Sequence, residues 1–175
     1  MKKLSFAVGS AYTALLVCIL IRLDQLIHQY MPIGADRGFV YVAFVAWAVY
    51  FYSGATLKGG IKAAIGYVVG VAFSIMILLL AGVVPFLGFY AIPLSAMFII
   101  FFVLYLEKVP WLDLLPASFV AAGCFFGIVT YVPEATLWNA TYIQLLYGAI
   151  GLVFGWITVA GKELVLKPFK KNQSM

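Results

Sequence analysis

The polar side chains that this chain carries within apolar sequence are hydroxyls, phenols and amides. Tyr50, Tyr52 and Ser53 close the second of its apolar runs, Ser118 opens the fifth, and Thr141 and Gln144 open the sixth. Groups of this kind hydrogen-bond to a solute without carrying charge themselves. Set among aromatics and glycines they are the chemistry of a pore or substrate path. The plainer reading of Trp47–Gly60 is an ordinary helix end with interfacial tyrosines, a glycine turn and Lys58. Bond-breaking chemistry finds no support: there are no carboxylates paired on one face, no HExxH motif and no Ser/His pair to assemble a nucleophile. The single histidine, His28, lies between runs, where a solvated loop residue is a simpler reading than a pH sensor. Cys18 and Cys124 fall inside apolar runs and read as small buried thiols, with no CxxC motif or disulfide framework. The expectation is a protein that is not an enzyme and holds no cofactor and no metal.

The elements that must position these residues follow from composition. Apolar residues make up 66% and charged residues 10% of the 175 residues, against roughly 45–50% and about 25% in a soluble domain. A chain of this size cannot hide so much apolar surface from water, so lipid is the expected solvent of its exterior. Six runs approach the ~20 residues a helix needs to cross the hydrocarbon core: Leu4–Ile21, Gly38–Ala55, Gly59–Gly82, Val84–Leu106, Leu114–Val132 and Asn139–Gly161. The first follows Lys2-Lys3 but is too long for a signal's apolar core and ends in Ile21-Arg22-Leu23-Asp24, which reads as a retained span. Backbone groups in lipid need partners inside their own segment, and Ile75–Leu80 shows no alternation, so the runs read as helices.

Nine of the eleven lysines and arginines fall on one side of this threading: Lys2, Lys3, Lys58, Lys62, Lys108, Lys162, Lys167, Lys170 and Lys171. Arg22 and Arg37 fall on the other. The positive-inside rule then places both termini in the cytoplasm, with a basic tail over 162–175. The net charge of +5 is spread over loops and tail, without the clustered patch that nucleic acid requires. Trp111 and Trp138 stand at span ends, where aromatic belts form. The outer connection Arg22–Arg37 carries Leu23, Leu26, Ile27 and Tyr30 at helical spacing and can extend the first helix along the interface. Pro116 suits a first helical turn, and Pro93 predicts a kink in the fourth span. Every acid and base lies within about a turn of a span end, which argues against ion coupling through a buried charge.

Small residues recur at four-residue spacing in three spans: Gly66, Gly70 and Ser74; Gly123 and Gly127; Gly151 and Gly155. Such stripes let helix backbones approach closely. The strings Gly70–Ser74 and Gly151–Gly155 resemble each other, as two inverted three-helix repeats would require. The competing explanation is that small-residue pairs are frequent in any membrane helix.

Ala48-Val49-Tyr50-Phe51 leading to Leu57-Lys58-Gly59-Gly60, the stretch Leu115-Pro116-Ala117-Ser118-Phe119 with Ala121–Gly127 after it, and Gly151-Leu152-Val153-Phe154-Gly155 together resemble a bacterial inner-membrane family, DUF1097. The likeness covers about positions 40–160 and departs at the outer loop and the tail. It implies a small integral protein of the bacterial inner membrane and supplies neither substrate nor catalytic residues.

The leading expectation is an all-α, six-span channel or facilitator for a small neutral or weakly polar solute, in contact with the lipid bilayer and able to form homo-oligomers. A membrane module that packs against or scaffolds a partner protein is the second. An ion-coupled carrier with a broken helix near Gly54–Gly60 or Pro93 is the third.

Overall fold

The computed structural model describes residues 2–34, 36 and 38–171, with side chains for 4–34, 36 and 38–168. The side chains of Lys2, Lys3, Arg37, Lys170 and Lys171, and the tail beyond residue 171, lie outside that description. Six α-helices follow one another: α1 (Lys2–Ile27), α2 (Val40–Tyr52), α3 (Leu57–Val83), α4 (Ala91–Val103), α5 (Leu115–Tyr131) and α6 (Leu137–Lys171). Short 3-10 turns stand at His28–Tyr30, Pro85–Tyr90 and Leu104–Lys108, and no strand occurs among the described residues.

Among the described residues four stretches are long and apolar enough to cross a membrane: Leu4–Tyr30, Leu57–Val83, Pro85–Lys108 and Leu137–Pro168. The other two helices, α2 with 13 residues and α5 with 17, are shorter than the expected spans. At 1.5 Å per residue they rise only about 20 and 26 Å. Backbone geometry sets the ends of α2 and α5. Beyond α2, Gly54 and Ala55 both take positive φ (93° and 53°), and Thr56 caps α3 by accepting from the Gly59 N–H at 3.0 Å. Beyond α5, Glu134 takes φ 62° before Thr136 and Asn139 exchange hydrogen bonds at the start of α6.

The first helix extends past its apolar run, as the spacing of Leu23, Leu26 and Ile27 allows, and two other boundaries differ from the sequence reading. Helix α1 runs six residues past Ile21, because Leu23 and Ile27 continue its apolar face into the core. Helix α6 continues through Lys162–Lys171, so the described part of the basic tail is helical. Pro93 sits in the first turn of α4, where its missing N–H has no intrahelical partner to lose. The break before α4 falls instead at Gly88 (φ 52°, ψ −124°).

Helix α2 packs chiefly against α6, and α5 chiefly against α3; α1 lies on α6, and α4 on α3. Glycine explains the two tightest seams. A methyl at Gly66 would stand 2.8 Å from the Ala117 Cβ, and one at Gly70 would strike the Ser118 carbonyl and stand 2.8 Å from the Ala121 Cβ. On the other seam a methyl at Gly151 would strike the Ala43 carbonyl and stand 2.7 Å from the Ala46 Cβ, while Gly155 lies under Tyr50. Ser74 is fully buried on α3 and donates to the Gly70 carbonyl at 2.7 Å. Gly123 and Gly127 correct the expectation of a third seam: open space surrounds the position of a methyl at either one. At one end of the bundle Lys62 pairs with Asp113 at 2.6 Å, and Lys58 lies 5.8 Å from the Trp111 ring centre. Both contacts tie the start of α3 to the α4–α5 connection.

Candidate functional site

The six residues expected to line a path do not meet in one place. Tyr52 is 69% exposed, in an apolar groove with Val45, Ala48, Val49, Pro116 and Val120. Tyr50 is buried with its ring against Gly60 and Gly155, as a packing residue. Ser53 donates to the Tyr50 carbonyl at 2.8 Å and finishes α2. Thr141 donates to the Leu137 carbonyl at 2.6 Å, a bond within its own helix. Ser118 and Gln144 are different. Both are fully buried, and neither the Ser118 hydroxyl nor either atom of the Gln144 amide has a protein hydrogen-bond partner.

That contrast carries information because hydroxyls in apolar helices usually bond back to a carbonyl four residues earlier. Thr13, Ser74, Thr141 and Thr158 all do so. Two more residues share the unpaired state of Ser118 and Gln144: the Trp47 indole N–H on α2, which the sequence reading had in the Trp47–Gly60 stretch but not among the path residues, and the Tyr67 hydroxyl on α3, which it missed. A fifth, Ser95, lies on the peripheral α4.

Tyr67 shares one core cluster with Ala117 and Ala121, which flank Ser118, whereas Trp47 sits in another with Leu16, Leu20 and Phe154. The Tyr67 ring lies over Gly148, one helical turn beyond Gln144, where a methyl would meet it at 2.6 Å. Ser118 borders Gly66 and Gly70 on either side of Tyr67. Trp47 packs on Phe154 of α6 with ring centres 5.6 Å apart. Tyr67 was legible as the one bulky polar ring between the glycines of the α3 stripe. Trp47 carried no signal that distinguishes a packing indole from a lining one.

The larger correction concerns charge. Asp24, placed by sequence in a loop, lies in the last turn of α1 and is only 6% exposed. Its Oδ1 accepts from the Phe39 backbone N–H at 3.0 Å and from the Tyr147 hydroxyl at 2.7 Å. Gly38 is required beside it, since a methyl there would strike the carboxylate. Asp24 still lies within about a turn of the Ile21 span end, as the sequence reading has it; what that reading missed is that a charge at a span end can be buried in protein. The helical spacing of Leu23, Leu26 and Ile27 was the available signal. His28, one turn further, is half-buried with Nδ1 2.9 Å from the Asp24 carbonyl oxygen.

Outside the bundle, Asp113 is exposed, and the hydrogen bond from Lys62 holds its carboxyl below the ordinary range. No group of three or more His, Cys, Asp or Glu suited to a metal ion occurs among the described residues. The chemistry available to the buried set is hydrogen bonding to a guest. Trp47 donates, Tyr67 and Ser118 donate or accept, and Gln144 does both.

A protein-family model described as "Protein of unknown function (DUF1097)" matches residues 14–163. No curated protein and no solved structure matches the chain.

Proposed function

The chain belongs to the DUF1097 family of unknown function, and from the geometry of its interior we propose that it is a multi-pass inner-membrane protein that moves a small, uncharged, hydrogen-bonding solute across the bilayer. The observation that carries this reading is the set of unpaired buried atoms of Trp47, Tyr67, Ser118 and Gln144 on four packed helices. A buried polar group normally has a partner, and leaving one without costs about 1–3 kcal/mol. Tyr67 and Ser118, with Gln144 one turn from the Gly148 that the Tyr67 ring covers, make a site whose partner arrives from outside. None of the four is ionisable near neutral pH, which favours an uncharged guest.

The packing supports two inverted three-helix halves, α1–α3 and α4–α6. Exchanging α1 with α4, α2 with α5 and α3 with α6 turns the α2–α6 seam into the α5–α3 seam, and the α1–α6 contact into the α4–α3 contact. Gly70 meets a carbonyl and a small Cβ at Ser118 and Ala121, as Gly151 does at Ala43 and Ala46. Ala55-Thr56-Leu57 precedes α3, and Ala135-Thr136-Leu137 precedes α6. Three helices per half make the halves inverted, a plan that puts the site between them and exposes it to each side in turn. In this reading all six helices cross, the short α2 and α5 included, and both termini are cytoplasmic by the lysine and arginine distribution.

The test is flux into liposomes holding the purified chain, over a panel of neutral solutes and weak acids. One or more solutes should enter faster than into protein-free vesicles, and Ser118→Leu should abolish the gain. Permeability equal to that of empty vesicles across the panel would sink the proposal. A second reading, a non-transporting module bound to a partner, draws support from an exposed apolar groove of about 430 Å³ beside Leu57, Ile61, Val153 and Trp156. Co-purification of a stoichiometric partner, together with absent flux, would favour it.

A further inference from the structure

We propose that the inner end of α4 binds one anionic phospholipid, with an acyl chain on Phe101 and Leu104 and the phosphate at Lys108 and Lys58. The inference rests on the membrane part of the reading above and is independent of solute movement. Helix α4 is peripheral and packs on α3. Its buried stripe is Ala91, Ser95, Ile99 and Val103, spaced one turn apart. Phe101, Leu104, Tyr105 and Lys108 follow i, i+3, i+4, i+7 spacing and share another face. All four are exposed, and together they line a groove of about 270 Å³. That face is aromatic and aliphatic up to its last residue, which is a cation.

Local structure builds the cationic end. Past Val103 the helix tightens into the 3-10 turn Leu104–Lys108, where residues three apart stand in line. Tyr105 and Lys108 are such a pair, and the Lys108 Nζ lies 5.8 Å from the Tyr105 ring centre. Three residues further on, Trp111 takes φ 73° and is half-exposed. The Lys58 Nζ reaches that ring from the start of α3, again at 5.8 Å. Neither lysine makes an ion pair among the described residues, whereas Lys62, one turn along α3, is neutralised by Asp113. Glu107 is the one acid of this connection outside that pair, so two lysines against one carboxylate leave the balance positive.

Complementarity selects the occupant. An apolar groove on a lipid-facing helix is filled by hydrocarbon, and unpaired ammonium groups at its mouth are completed by an anion. A phospholipid with an anionic headgroup brings both in one molecule. Free phosphate would leave the groove empty, and a zwitterionic lipid would bring a cation of its own to the lysines. By the lysine and arginine distribution this end meets the cytoplasmic leaflet, where basic residues beside a span attract anionic lipid. Tyr105 and Trp111 are also the ring types that settle at headgroup level.

The test is native mass spectrometry of the full-length chain in detergent, titrated with phosphatidylglycerol or with phosphatidylcholine of the same acyl chains. The first phosphatidylglycerol should bind about tenfold more tightly than the first phosphatidylcholine. Lys108→Ala should cut that preference about fivefold, and Lys58→Ala with Lys108→Ala should abolish it. Lys167→Ala, at an exposed position on α6, should leave it intact. Phe101→Ala should weaken both lipids, and glycerol phosphate, a headgroup without chains, should displace neither. Equal affinity for the two lipids, a preference kept in the double variant, indifference to Phe101→Ala, or displacement by glycerol phosphate overturns the proposal. So does a polypeptide that co-purifies one-to-one with wild type and is lost from the double variant, since the site would then hold a protein. Liposome flux is a separate readout. A lipid preference in a chain that moves nothing refutes the carrier reading alone, and flux without the preference refutes only the lipid site.

Discussion

Replacing Gln144 by methionine separates a binding role from a structural one, because the two roles predict opposite signs for stability. Gln144 is fully buried, and both of its amide atoms lack protein partners. If nothing in the fold satisfies the amide, the apo protein carries an uncompensated desolvation of about 1–3 kcal/mol. Methionine has a similar length and volume and no strong polar atom, so its packing penalty stays under about 1.5 kcal/mol. The variant should then be as stable as wild type or up to about 2 kcal/mol more stable, which for a chain of this size raises Tm by roughly 2–8 °C. Solute flux should move the other way. Loss of one hydrogen bond to the guest, about 1.4 kcal/mol, is tenfold in affinity. The expected pattern is a tenfold or larger fall in flux at subsaturating solute with equal or higher thermal stability. Thermal scans of the purified chain in detergent, run beside liposome flux, measure both. A Tm several degrees lower with unchanged flux would refute the argument, since it would mean that the amide holds the fold together.

The glycine seams and the surface ion pair give two further outcomes. Gly70→Val and Gly151→Val should each destabilise by about 1–3 kcal/mol through overpacking, whereas Gly123→Ala, with open space around it, should be neutral or stabilising by about 0.5–1 kcal/mol through helix propensity; thermal scans compare the three. The carboxyl of Asp113 is held below its ordinary 3.8 by the hydrogen bond from Lys62. A depressed carboxyl contributes stability that is full above the unfolded value and lost as pH falls through the folded one. The Lys62→Met variant should therefore match the wild-type pH dependence at neutral pH and depart from it only in acid, and its Asp113 carboxyl resonance should titrate at higher pH than in wild type.

How far the sequence could be read depended on which physical signal each feature emits. Hydropathy located all six helices, because each coincides with an apolar run. It misjudged their ends, because ends are set by backbone geometry such as the positive φ of Gly54, Ala55 and Glu134. Small-residue spacing pointed to Gly66, Gly70, Gly151 and Gly155, and it pointed equally to Gly123 and Gly127, which face open space. Spacing identifies a stripe; only the neighbouring helix decides whether the stripe is used. Among polar residues, Ser118 and Gln144 were legible as hydroxyl and amide in apolar surroundings, and so were Ser53 and Thr141. The distinction between them is a hydrogen bond to the helix's own backbone, which one-dimensional pattern does not encode. Asp24 was hidden for a related reason: its acceptor role depends on Tyr147, 123 residues away.

The departures from the proposed internal repeat say more about function than the repeat does. At the spacing that superposes Gly70 on Gly151, Tyr67 falls on Gly148, Gly66 on Tyr147 and Ala63 on Gln144. Tyr67 and Gly148 are also the pair in contact, so the repeat places that contact on its own axis, where one half supplies the ring and the other the room for it. The remaining two pairs put small apolar residues in the first half opposite polar ones in the second. Gly66 closes against Ala117, whereas Tyr147 closes on a carboxylate. Two halves with equivalent scaffolds thus end in chemically different closures, one by packing and one by hydrogen bonds to a carboxylate. Making the closures alike tests the difference: Asp24→Leu alone leaves the buried Tyr147 hydroxyl without its acceptor, so Asp24→Leu combined with Tyr147→Phe should be more stable than Asp24→Leu alone by about 1–3 kcal/mol in thermal scans.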